Sequence, residues 1–184
     1  MSKILTLINA TGRVCLTAVF ALVLLPAIPF HLWVARPIFK SDAFFQKTVS
    51  SILLGLWDIR IKPKGVKANK GEPTIYVANH ISGLDPFILS KAATGTYLGK
   101  AEISKWPVMG AGAKAFGLIP VRRGVGGKDL KVVHAQMAEI LNSGDNILFF
   151  PEGTVSDGKD VLPFKNGALS ILFNNQSDIP LEHN

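Results

Sequence analysis

From Val14 to Ala35 the chain reads VCLTAVFALVLLPAIPFHLWVA, without one Asp, Glu, Lys or Arg. As a helix this run extends roughly 33 Å at about 1.5 Å per residue, enough to cross the hydrocarbon core of a bilayer. Lipid offers backbone amides no partners, so a run placed there must be helical. Pro26, Pro29 and His31 fall in its second half. Proline removes an internal hydrogen bond, which makes a kinked or re-entrant helix a serious alternative to a straight span. A cleaved signal peptide fits less well, because the stretch is long and no small-x-small site follows it. Arg13 and Arg36 bracket the run, so flanking charge leaves its orientation open.

The rest of the composition agrees with a lipid-facing part. Hydrophobic residues are 48% of the 184, but charged residues only 18%, below the roughly 25% of soluble domains. The net charge of +7 is uneven: residues 1–70 hold half of the Lys and Arg but only Asp42 and Asp58 of the acids. Basic residues beside apolar segments favour anionic headgroups. Nucleic-acid binding would instead want basic residues interleaved with aromatics in the folded domain, and no such stretch stands out. Cys15 is the only cysteine, which excludes an intramolecular disulfide and any multi-cysteine metal site. Its place in an apolar run suits a small hydrophobe better than a nucleophile.

Behind the apolar run, Phe45, Val49, Ile52, Leu53, Leu56 and Trp57 recur at helical spacing, which predicts an amphipathic helix over 43–61. It would pack on the domain core or lie on the membrane surface. The polar, Gly- and Pro-containing stretch RIKPKGVKANKGEP then marks a boundary or an exposed hairpin. The expected organisation is a membrane-associated helical segment, 1–61, followed by a catalytic domain, 62–184. Within that domain Thr74–Ala78, Leu118–Val121 and Asn146–Phe150 read as strands. Pro86–Ala93, Leu130–Leu141 and Asn166–Phe173 read as helices. Strands alternating with helices imply an α/β sheet.

Chemistry concentrates in TIYVANHISGLDPF, where a buried-looking strand ends at Asn79-His80 and Asp85-Pro86 opens a helix. On a continuous helix His80 and Asp85 would lie about 140° apart and could not pair. A turn through Gly83 brings them together, with Asp85 before Pro86 fixing the far end. A carboxylate on one imidazole nitrogen fixes the tautomer and leaves the other nitrogen as a base. The bland alternative makes Asp85 a helix cap and His80 a polar strand end. Neither Ser82 nor Ser156 sits in a Gly-x-Ser-x-Gly elbow, so neither is a candidate nucleophile.

Four blocks in order resemble the glycerolipid acyltransferase family, which includes the lysophosphatidic acid acyltransferases. NHISGLD matches its Asn-His-x-x-x-x-Asp signature, and FFPEGTVSDG its Phe-Pro-Glu-Gly-Thr motif. GLIPVRRG matches the apolar strand and arginine of its second motif, best aligned at Arg123, and KAEISKWP a Lys-x-Glu segment. The resemblance covers roughly 72–180 and implies a mixed sheet flanked by helices. It also implies direct acyl transfer from a thioester, acyl carrier protein or coenzyme A, to a lysolipid hydroxyl. His80 would take the hydroxyl proton and Asp85 would orient it.

By the same resemblance Glu152, Gly153 and Thr154 would hold the glycerol-phosphate part of the acceptor, and Arg123 and Lys100 would face its phosphate. Neither a cofactor nor a metal is expected, and the partners are membrane lipids and the thioester donor. The implied setting is the bacterial inner membrane, with the catalytic domain facing the cytoplasm. Two features depart from the family pattern. Val155 stands where an arginine often follows Glu-Gly-Thr, and SDIPLEHN stops at the fourth motif, which suggests a truncated C-terminus. The leading expectation is a 1-acylglycerol-3-phosphate acyltransferase. The alternatives are an acyltransferase for a phosphate-free lysolipid such as lyso-ornithine lipid, and an inactive membrane-bound lipid- or carrier-binding module. A metalloprotein is the weakest, since one His and one Asp do not close a site.

Overall fold

A computed structural model describes residues 3–39, 41–64, 72–106, 109–121 and 127–165. Helix α1 (Lys3–Phe30) runs into a π-helical turn (His31–Ala35) and a short helix α2 (Arg36–Phe39), followed by α3 (Ala43–Leu56). The widened turn begins directly after Pro26 and Pro29, where missing amide donors loosen the regular ladder. Residues Ala10–Phe39 make one helix long and apolar enough to cross a membrane, and little of its most apolar stretch is buried. Trp33, Phe39 and Phe44 are 80%, 74% and 83% exposed, so the apolar surface continues from α1 around the bend into α3.

The bend is tied by polar groups. His31 Nε2 lies 2.9 Å from Asp42 Oδ1, and Arg36 Nε 3.3 Å from the same oxygen. The His31 ring also stacks on Phe45, with centroids 4.4 Å apart. Helix α3 then packs on the catalytic part through Gln46, which is fully buried. Its Nε2 donates to Gly95 O at 2.7 Å and Phe116 O at 2.9 Å, while its Oε1 accepts from Gly95 N–H at 3.1 Å. The expected boundary near 61 falls after α3, yet α3 is joined by these bonds to the part that follows.

The remaining elements are β1 (Ile75–Val77), α4 (Asp85–Ala92), β2 (Thr96–Lys100), a 3₁₀ turn (Ala101–Lys105), α5 (Met109–Ala115), β3 (Leu118–Val121), α6 (Gly127–Asn142) and β4 (Ile147–Phe149). The strands lie in the order β1-β4-β2-β3 and every pairing is parallel. Of the mixed sheet expected above, the described residues thus show a purely parallel part. Strand β4 is central and buried on both faces, as its unbroken apolar run requires. Ile147 and Phe149 meet Val133 and Met137 of α6 on one side. Leu148 meets Ala93 and Tyr97 on the other, as the two-residue period of a strand dictates. The helix expected over 166–173 and half of the polar boundary stretch, 65–71, lie outside the described residues.

Candidate active site

The site forms because two parallel neighbours run out in register. Val77, the last residue of β1, pairs with Phe149, the last of β4. His80 and Glu152 each follow their strand end by the same number of residues, so they emerge side by side at the carboxyl edge of the sheet. That edge is where parallel α/β sheets place ligands. One further ladder bond, Ala78 N–H to Phe149 O at 3.2 Å, carries the alignment past the strands.

The chain then turns through Ser82 and Gly83 into α4, and the turn closes on Asp85. Asp85 Oδ2 lies 2.8 Å from His80 Nδ1, and it accepts the Ile81 and Ser82 N–H groups, also at 2.8 Å each. Both side chains are mostly buried, at 17% and 15% exposure. Two fixed amide donors hold that oxygen as an acceptor, so Nδ1 carries the proton shared with it and Nε2 keeps its lone pair. Under the imidazole lies Phe150, stacked with centroids 4.3 Å apart and ring planes 18° apart. The ring is therefore fixed in tautomer, in plane and in depth.

A cavity of about 840 Å³ opens from His80, within the range of small-molecule sites. Gly153, Thr154, Val155, Lys100 and Lys165 stand in its wall. Leu24, Leu25 and Ile28 of α1 and Phe45 and Val49 of α3 also line it. Gly153 has φ +64°, and a Cβ there would stand 2.9 Å from Lys165 Nζ, so the lysine side chain lies across the glycine. The lysine is anchored by its own N–H, which donates to Pro151 O at 2.9 Å.

Of the residues singled out in the sequence, His80 and Asp85 are in direct contact, and Gly153, Thr154 and Lys100 share one cavity with His80. Glu152 does not face that cavity: it is 2% exposed, and its Oε1 accepts the His80 backbone N–H at 3.2 Å. Arg123 lies outside the described residues. Sequence reasoning missed Phe150 as the floor of the histidine and the share of α1 in the cavity. Ala21, Leu24, Leu25 and Ile28 do follow helical spacing, but in a helix apolar all round that stripe carries no contrast. Among the described residues no cluster of His, Cys, Asp and Glu is arranged to hold a metal.

The chain is 30% identical over 176 residues to the lyso-ornithine lipid O-acyltransferase of Rhodobacter capsulatus, which covers 91% of the chain and 62% of that protein. It is 35% identical over 91 residues to the 1-acyl-sn-glycerol-3-phosphate acyltransferase of Neisseria gonorrhoeae, covering 50% of the chain and 35% of that protein. The chain thus spans between about a third and three fifths of the length of these relatives. The crystal structure of the 1-acyl-sn-glycerophosphate (LPA) acyltransferase PlsC from Thermotoga maritima shares its fold, with a TM-score of 0.69 at 24% identity over 95% of the chain and 71% of that protein. The profile of the family described as Acyltransferase matches residues 60–181, from just past α3 through the His80, Lys100, Arg123 and Glu152 motifs, and the chain belongs to that family.

Proposed function

We propose that this protein transfers a fatty acyl group from a thioester, of acyl carrier protein or coenzyme A, to the free hydroxyl of a membrane lysolipid. The observation that carries the reading is the join of a proton acceptor to an apolar cavity: His80, whose Nε2 keeps its lone pair, lines a chiefly apolar cavity that Leu24, Leu25 and Ile28 of α1 line as well. An acyl chain would lie along the apolar wall and present its carbonyl near His80. Nε2 takes the proton of the acceptor hydroxyl as its oxygen attacks the thioester carbonyl. Asp85 stabilises the imidazolium that forms. The tetrahedral intermediate collapses with loss of the thiolate, which recovers the proton from His80, leaving an ester and a free thiol.

For the acceptor, Val155 is the informative residue. It lines the cavity and is 48% exposed, at the position where related sequences often carry arginine. Together with the likeness to the lyso-ornithine lipid enzyme over 91% of the chain, this supports a phosphate-free acceptor such as lyso-ornithine lipid. The second reading, 1-acylglycerol-3-phosphate, is favoured by Lys100 and Lys165 in the same wall. A competition between the two lysolipids, using full-length wild type and Val155→Arg, separates them. The expected result is wild-type preference for lyso-ornithine lipid, with the arginine raising use of the phosphate acceptor roughly 10- to 150-fold, the value of one guanidinium–phosphate pair. Wild-type preference for lysophosphatidic acid, unmoved by the arginine, would reverse the acceptor assignment, and acylation of no lysolipid at all would refute the activity.

The same cavity bears on how the protein would meet the membrane. Because residues 21–28 line it, that half of α1 stays beside the catalytic domain, and we place α1 and α3 in the leaflet that the domain faces.

A further inference from the structure

His80 is held by its backbone as well as by its ring. Its N–H donates to Glu152 Oε1 at 3.2 Å, and its carbonyl accepts the Ser156 N–H at 2.7 Å, so both backbone groups are taken by the loop that leaves β4. The next two amides, of Ile81 and Ser82, go to Asp85. Three consecutive N–H groups are therefore claimed by two carboxylates, Glu152 taking the first and Asp85 the other two. This is the point where the β1 ladder has ended and the sheet no longer supplies acceptors.

Glu152 is in the wrong place to bind a lipid. Its side chain is almost wholly buried and is absent from the cavity wall, to which its neighbours Pro151 and Gly153 both contribute. Its second oxygen, Oε2, is buried and without a hydrogen-bond partner among the described residues. A carboxylate placed this way costs solvation that only a specific task offsets. We propose that Glu152 is a positioning residue: it fixes the main chain of His80 so that Nε2 meets the acceptor hydroxyl, and it does not itself hold the lysolipid. This rests on the general-base reading of His80, and it reassigns a residue that the sequence motif alone places among the acceptor's ligands.

The test compares Glu152→Ala and Glu152→Gln in the full-length protein. One readout is kcat and KM for the lysolipid acceptor. The other is the hydrogen-bonded Nδ1–H proton signal of His80 in ¹⁵N-histidine-labelled protein in micelles, assigned by its loss in His80→Ala. A displaced base costs on the order of 10²-fold in rate, so Glu152→Ala should lower kcat by about that factor with KM changed less than about threefold. Glutamine still offers a carbonyl oxygen to the His80 N–H, so Glu152→Gln should recover most of that loss and keep the His80 signal, which Glu152→Ala broadens or loses. A rise of more than about tenfold in acceptor KM in both variants, with kcat preserved, makes Glu152 a lipid ligand and overturns the proposal. So does an unchanged His80 signal in Glu152→Ala. If the alanine variant does not fold, the glutamine variant decides alone: an activity as low as that of His80→Ala overturns the proposal, and a recovered activity with the signal intact supports it. Wild type that acylates no lysolipid while the His80 signal follows Glu152 as described sinks the acyl-transfer reading and leaves the positioning role standing.

Discussion

Replacing Asp85 by asparagine separates charge from hydrogen-bond geometry at the base of the site. The carboxylate oxygen Oδ2 receives His80 Nδ1 and the N–H groups of Ile81 and Ser82, all at 2.8 Å. An asparagine carbonyl can occupy the same point and accept from the same three donors, so the turn should keep its shape. What goes is the negative charge beside an imidazolium that forms only during reaction. Two unit charges about 4 Å apart interact by about 4 kcal/mol at an effective dielectric of about 20, a fair value for side chains that are 17% and 15% exposed. At about 1.4 kcal/mol per factor of ten, kcat should fall on the order of 10³-fold. Asp85→Ala should lose a similar factor in turnover but also strand the loop amides. Its stability should therefore be lower than that of Asp85→Asn by about 1–3 kcal/mol. The assay is acyl transfer to lysolipid followed by mass spectrometry, with thermal unfolding in the same detergent. A folded Asp85→Asn whose kcat stays within about threefold of wild type would show that no imidazolium is stabilised there, and the general-base mechanism would fall with it.

Three further outcomes follow. Gln46→Leu should destabilise the protein by about 3 kcal/mol or more, since it strands the Gly95 N–H and the Gly95 and Phe116 carbonyls in the interior; denaturant unfolding in micelles measures it, and a loss below about 1 kcal/mol contradicts the role given to Gln46. Burial holds the Tyr97 hydroxyl well above the ordinary tyrosine range, opposed by its bond to Ser90. The folded state therefore keeps a proton that the unfolded chain releases above about pH 10, so stability present below that pH is lost as pH rises, by up to about 1.4 kcal/mol per unit. Tyr97→Phe should remove that part of the alkaline slope, and identical slopes for the two proteins would contradict it. With Cys15 replaced by alanine, a cysteine at position 2 should react with an impermeant maleimide from the same side of the membrane as a cysteine at position 159, whereas labelling from opposite sides would mean that α1 spans the bilayer.

The elements most legible in the sequence were those with contrast. The uncharged run from Val14, the spacing of α3 and α6, and the turn-bounded strands β1, β3 and β4 each show a period or a boundary that the structure keeps. Strand β2 was missed because Thr96–Lys100 includes Gly99, a residue that weakens a strand pattern and that here lies against Leu118 with no room for a side chain. Helix α5 was missed because MGAGAKA has poor intrinsic helicity. Its Gly110 is required by close approach to the Ser104 backbone, a tertiary fact. The His80–Asp85 contact was readable because both residues lie in one turn. The orientation of Glu152 was not, since it depends on the register of β1 against β4, and no local pattern fixes a long-range register.

The order of synthesis gives that register a second meaning. Strand β4 emerges from the ribosome after β1, β2 and β3, yet it occupies the slot between β1 and β2. Until it arrives β1 has no neighbour in the described sheet, and the chain must hold a gap open across the intervening residues 78–146, a slow non-local closure. Phe150 and Glu152, the floor and the clamp of His80, come in with the same segment. His80 therefore lacks its floor and its backbone partner until the last described strand inserts, and strand and base are then set together.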